Sequence, residues 1–168
     1  MAARTVVRIL GIDPGSRRTG WGLIAVEGSR LIPLGCGVIT VPPRAPFAER
    51  LLLIHEELRR TIEKLQPTEV AVEDVFHSLN ARTALALGHA RGAALVAAAG
   101  ARLPVRAYSP ATVKKSVVGS GRAGKPQVGW MVNRLLGLKL GPSAVDATDA
   151  LAVALCRAAH LRDPRDGA

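Results

Sequence analysis

VVRILGIDPG, residues 6–15, is an apolar run carrying one charge, Arg8, and broken by Asp-Pro-Gly. It reads as a buried strand closed by a turn, with Asp13 as its last residue. Working outward, GWGLIAVE (20–27) and LIPLGCGVITV (31–41) read as two more strands, joined by a hairpin turn at GSR (28–30). Phe47, Leu51, Ile54, Leu58, Ile62 and Leu65 recur at helical spacing over residues 46–65, and Pro67 ends that helix. TEVAVED (68–74) is a short buried strand ending in Glu73. A long Ala/Leu/Gly helix over 79–99, a strand at 105–109 and helices over 110–118, 126–138 and 143–161 follow, with Ser143 as the expected cap of the last. The order β-β-β-α-β-α-β-α-α-α predicts an α/β fold, a five-stranded mixed sheet with helices on both faces. In that fold the first strand lies parallel to the strand after the first helix, because a right-handed crossover joins them. Asp13 and Glu73 then stand at adjacent strand ends, about 4.8 Å apart.

The chain has 168 residues, 48% of them hydrophobic. That suffices for one compact domain, expected over residues 1–161 with a frayed tail at 162–168. Cys36 and Cys156 lie in apolar contexts without disulfide or metal-ligand spacing, as in a reducing compartment. The first apolar run is too charged and too soon interrupted for a signal peptide, and no uncharged run approaches the roughly 18 residues of a membrane span. A soluble, cytoplasmic protein without membrane contact is expected. Formal net charge is +10, and its placement is uneven. Residues 75–145 contain no Asp or Glu but ten cations: Arg82, Arg91, Arg102, Arg106, Lys114, Lys115, Arg122, Lys125, Arg134 and Lys139. Such a segment suits a nucleic-acid backbone. Aromatics make up only 3%, which favours a duplex or branched backbone over stacking on single strands.

VDATDALAVAL (145–155) places Asp146 and Asp149 three apart at the front of an otherwise apolar helix. If that helix sets its N-terminus over the strand ends, Asp13, Glu73, Asp146 and Asp149 converge without a neutralising cation among them. Clustered carboxylates raise one another's pKa, and an all-oxygen set suits Mg²⁺ or Mn²⁺. Two such ions could bridge a phosphate and activate water. Taken singly, each acid also fits a helix-dipole partner or a turn former.

ILGIDPGSRRTGWG, VEDVF, GHARGAALVAA, VKKSVVGSGRAGKPQV and VDATDALAVAL resemble, in order and spacing, the bacterial RuvC family of Holliday-junction resolvases. The resemblance runs from Leu10 to about Leu155. It implies a ribonuclease-H-like fold and a homodimer that makes paired nicks in opposed strands of a four-way DNA junction during recombination and repair. The expected cofactor is Mg²⁺, with Mn²⁺ as a substitute and two ions per site. By motif, the resemblance places the acidic tetrad on Asp13, Glu73, Asp146 and Asp149, the basic pair on Lys114 and Lys125, and a junction wedge on Phe76. Arg82, Lys115 and Arg122 join Phe76 as expected DNA contacts, and a RuvA–RuvB branch-migration complex is an expected partner. On the residues alone, Lys114 and Lys115 read as a solvated helix face, Lys125 as a loop cation and Phe76 as core. The chain departs from the pattern at Asp74, where the family often has an amide, and at Pro126, where a small polar residue is common. Asp74 either tunes the site or faces away.

GIDPGSRRTG also resembles the phosphate loop of actin-like ATPases and sugar kinases. That fold needs a second similar domain, and this chain has no second copy of the loop. A non-catalytic junction-binding protein is the other alternative, against which the full set of acids argues. Two symmetry-related cuts require two sites, hence an isologous dimer. The helix over 79–99, rich in Ala and Gly, is its expected surface, with Leu85 and Leu95 as apolar contacts and Ala93 at close approach.

Overall fold

A computed structural model describes residues 6–74 and 80–161. Five strands form one sheet in the order β3-β2-β1-β4-β5. β1 (Val7–Asp13), β2 (Arg18–Glu27) and β3 (Arg30–Thr40) make an antiparallel meander. β4 (Glu69–Glu73) and β5 (Val105–Tyr108) add in parallel to β1, each after a helix. The expected ribonuclease-H-like arrangement, a mixed sheet covered on both faces, is the one observed. Strand alternation sends Leu10, Ile12, Val70 and Val72 to one face, under α1 (Phe47–Leu65) and α2 (Ala81–Gly100). Ile9, Ile24 and Ala71 go to the other, under α3 (Pro110–Val118), α4 (Lys125–Leu136) and α5 (Val145–His160). Among the described residues no helix is long and apolar enough to cross a membrane, and neither Cys36 nor Cys156 forms a disulfide.

α5 positions the site. It is buried from Ala147 to Ala158 save for Asp149, and it lies directly on β1 and β2. Three glycines make that approach possible. A Cβ at Gly11 would lie 2.1 Å from the Ala150 carbonyl oxygen, one at Gly20 would lie 1.9 Å from that of Asp146, and one at Gly22 would meet Leu151 at 2.6 Å. No side chain fits there. At the far end Arg157 donates from Nε to both oxygens of Glu69, at 3.2 and 3.1 Å, in a buried pair. Since Glu69 begins β4 and Gly20 lies opposite Asp13, the N-terminus of α5 overlies the strand ends that carry Asp13 and Glu73.

The start of α5 differs from expectation. Ser143 makes no side-chain cap. A 3-10 turn, Pro142–Ala144, precedes the helix, and Ala144 takes the cap position. Pro142 favours this tight turn, since it has no N–H to leave unpaired. Lys125, expected in a loop, is the first residue of α4.

Candidate active site

Ile12 pairs with Val72 in the parallel β1–β4 ladder, so the next residues, Asp13 and Glu73, stand side by side at the strand ends. The turn after Asp13 is closed by the fully buried Thr19, whose hydroxyl donates to the Gly15 carbonyl at 3.0 Å and accepts from the Gly15 N–H at 3.3 Å. Burial pushes the Asp13 carboxyl up to about 8, assisted by the charges of Glu73 and Asp149 and by its hydrogen bond with Glu73; Lys125 opposes the shift. Glu73 is raised too, first by burial and then by Asp149, against the Asp13 hydrogen bond and the charges of Lys125 and Lys114. Near neutrality the fold therefore favours one proton on the Asp13–Glu73 pair.

Asp149 completes this group from α5 and accepts a hydrogen bond from Lys125 Nζ at 2.6 Å. Partial burial lowers the Lys125 pKa, but its bond to Asp149 and the negative charges of Asp149, Asp13 and Glu73 outweigh it, so the ammonium is held above its ordinary value. Asp146 lies one turn earlier, and its Oδ2 accepts from Arg18 Nε at 2.6 Å. The expected cluster free of cations is thus corrected. Lys125 faces three of the acids, and Arg18, which sequence reasoning missed, holds the fourth. Its signal was the Arg17-Arg18 pair directly after the Asp13 turn.

Lys114, half-buried on α3, is close enough to act on Glu73. Lys115 and Arg122 are exposed, as is Arg82 in the first turn of α2. Phe76 lies outside the described residues. Asp74 faces away from the acids; its carboxylate meets Arg91 Nη2 on α2 at 2.5 Å.

Among the described residues no three acids form a finished cation cage. The donor set nevertheless fits a hard divalent cation. It is all oxygen, burial and mutual repulsion raise two of its carboxyls, a penalty that a cation would relieve, and two of its members already hold side-chain cations at 2.6 Å.

The raised Asp13 carboxyl predicts the pH response of the metal-free protein. Below pH 3.8 the group is protonated in folded and unfolded chains alike and costs nothing. As pH rises, the unfolded chain ionises while the fold keeps its proton, and stability drains away until about pH 8. Thermal melts in EDTA should show wild type losing stability relative to Asp13→Asn from about pH 4 to about pH 8. Parallel melting curves across that window would contradict the assignment.

Comparison with known proteins bears on this geometry. Residues 9–157 match the sequence profile of the family described as RuvC, crossover junction endodeoxyribonuclease. The crossover junction endodeoxyribonuclease RuvC of Caulobacter vibrioides is 53% identical over 157 residues, covering 94% of this chain and 92% of that protein. Thermus thermophilus RuvC, solved in complex with a Holliday junction substrate, is 39% identical with a TM-score of 0.86, covering 93% of this chain and 95% of that one. The yeast mitochondrial Holliday junction resolvase shares the fold at 16% identity and a TM-score of 0.62, covering 89% of this chain and 78% of that one.

Proposed function

The chain belongs to the RuvC family of crossover junction endodeoxyribonucleases, and from that membership we propose that it resolves four-way DNA junctions by hydrolytic nicking of paired strands at the Asp13–Glu73–Asp149 cluster. The observation that carries the site is the side-by-side placement of Asp13 and Glu73 under the N-terminus of α5, with Lys125 facing them. Family membership disfavours the ATPase alternative, and the intact acids argue against a purely binding role.

Asp13, Glu73 and Asp149 would hold the divalent cation, with Asp146 reaching it once released from Arg18. Mg²⁺, or Mn²⁺ in its place, with two ions per site, is the cofactor this donor set supports. Such a cation polarises the phosphate and lowers the pKa of the attacking water. The protein's own residues prepare the site. The proton shared by Asp13 and Glu73 keeps them together before cation entry and must leave when it binds, so affinity rises with pH. Lys125 and Lys114 bring positive charge to the place where a phosphate's negative charge grows during attack. Arg82, Lys115 and Arg122 contact the DNA backbone, and Phe76 serves as the wedge at the junction centre. The active unit is a homodimer acting in the cytoplasm with a RuvA–RuvB branch-migration complex, and residues 1–161 form its single nuclease domain.

The test is incubation with a synthetic four-way junction and a linear duplex of the same sequence. Mg²⁺-dependent paired nicks confined to the junction are expected. Equal cutting of the duplex, or none with any divalent ion, would overturn the proposal. The lysines separate rate from affinity. Lys114→Ala should slow single-turnover cleavage about 100-fold while junction affinity changes by less than about threefold. Equal losses in both would reassign Lys114 to general backbone contact.

A further inference from the structure

β4 and α5 each carry a site acid towards one end and half of a buried ion pair towards the other. β4 begins with Glu69 and ends with Glu73, while α5 has Asp149 near its start and Arg157 near its end. Strand alternation turns Glu69 and Glu73 to the same face as Ala71, the face that α5 covers. The near ends repel, because Asp149 and Glu73 are like charges. The far ends attract. Arg157 Nε donates to Glu69 Oε1 and Oε2 at 3.2 and 3.1 Å, and its Nη2 lies 3.1 Å from Oε2. Each of the two residues is only 7% exposed. Tyr108, at the end of β5, hydrogen-bonds the same guanidinium, and its ring centroid lies 4.9 Å from that of His160.

The lengths of the two elements agree. From Glu69 to Glu73 the strand advances about 13 Å. From Asp149 to Arg157 the helix rises about 12 Å. One axial placement of α5 on β4 therefore serves both ends, and a slip of one helical turn, about 5.4 Å, would break the ion pair. The middle of the contact does little to fix that placement. There Ala150 and Ala154 lie against Gly11, and small side chains on bare backbone allow close approach but offer few interlocking teeth. Stability does not account for the pair either. Desolvation offsets much of the attraction between two buried charges, and apolar residues of similar volume are often as stable or more so. Fixing a register is the best-attested use of such buried polar groups.

We propose that Glu69 and Arg157 are positioning residues for the cation site: their buried pair sets the register of α5 on β4 and so holds Asp149 beside Glu73 and Asp13. The inference rests on the resolvase reading and deepens it, adding two residues that touch no reacting atom. The helix end that carries Asp149 is repelled by the strand end it must meet, and the attraction at the other end of the same two elements opposes that repulsion. Without the pair, α5 relaxes along its smooth contact and Asp149 retreats from the acids it must join to hold a cation. The fold itself persists, because α5 keeps its apolar face buried.

The test uses the full chain and Mn²⁺ alone, with the free ion counted by electron paramagnetic resonance. Glu69→Leu combined with Arg157→Met removes one charge of each sign, so the net charge that attracts the cation is unchanged. In EDTA this double variant should melt at or above the wild-type temperature. Its Mn²⁺ affinity should nevertheless fall about tenfold or more, the loss expected when a partner that supports a metal ligand is removed. The Mn²⁺ concentration for half-maximal junction cleavage should rise by the same factor, while junction affinity in EDTA stays within about threefold of wild type. Glu69→Gln combined with Arg157→Gln is also charge-neutral, keeps hydrogen-bonding groups in place and should show the same loss. Arg157→Lys keeps the attraction to Glu69 and should recover most of the affinity. Mn²⁺ affinity within about twofold of wild type in either folded double variant would overturn the inference and leave the pair a structural contact only, with junction resolution intact. A wild type that binds no Mn²⁺ and nicks no junction would remove the resolvase reading and this inference with it.

Discussion

Asp13→Asn is expected to lower nicking of a four-way junction by at least about 1000-fold while making the metal-free protein more stable at about pH 8. The first effect follows from position. Asp13 ends β1 beside Glu73 and interacts with Asp149 and Lys125. A neutral amide there keeps the shape but removes the charge that draws a divalent cation, and losing that electrostatic contribution costs orders of magnitude in phosphoryl transfer. The second effect follows from burial. An ionised Asp13 is penalised in the fold by desolvation and by its acidic neighbours, and asparagine relieves that penalty. Junction affinity in EDTA or Ca²⁺ should stay within about threefold of wild type, because backbone contacts elsewhere supply it. Gel-based nicking, equilibrium binding and thermal melts check the three parts. Cleavage within about tenfold of wild type would remove Asp13 from the chemistry. Asp146→Asn should share the loss of nicking but not the gain in stability, since Asp146 is compensated by Arg18 in an exposed pair, a kind of contact worth about 0–1 kcal/mol.

Asp13 and Glu73 were legible as neighbours because two local signals and one topological rule sufficed: apolar runs that end in acids, and a right-handed crossover that makes their strands parallel. Asp149 followed from its place on the first turns of a buried helix. The cations on the acids were not legible. Lys125 and Arg18 reach Asp149 and Asp146 across 24 and 128 residues of sequence, and long flexible side chains carry no periodic signal of where their ends come to rest. Ser143 is a good cap on local grounds, yet Pro142 draws it into a 3-10 turn. Asp74 had two readings, and the Arg91 contact selects the one that faces away. The role of Phe76 lies outside the described residues.

The face of α2 was the least legible feature, and it carries the last prediction. A helix of Ala, Gly and Leu has almost no amphipathic contrast, so the sequence offered Ala93 and Leu95 as readily as any other position. In the fold both are partly buried and pack against the core, which leaves them less surface to offer a partner. The free stripe runs instead along Ala81, Leu85, Gly88, Gly92, Val96 and Ala99, one helical face by spacing. Leu85 is 64% and Val96 60% exposed, and nothing lies within 4 Å of where a Cβ would stand at Gly88 or Gly92. Two exposed aliphatic residues bracketing two bare backbone positions let a second copy of the helix approach closely. Cutting two strands related by a two-fold axis needs the second acidic site that such a copy supplies. Val96→Glu should therefore give a folded monomer. Its affinity for the junction should fall, and its residual cuts should appear on one strand at a time rather than in pairs. Gly92→Glu should do the same without weakening the helix, because glycine is the poorer helix former. Sedimentation of each variant, with the order of nicks followed on a cruciform plasmid, checks both. Wild type sedimenting as a monomer where it makes paired cuts, or Val96→Glu remaining dimeric and fully active, would rule this face out as the interface.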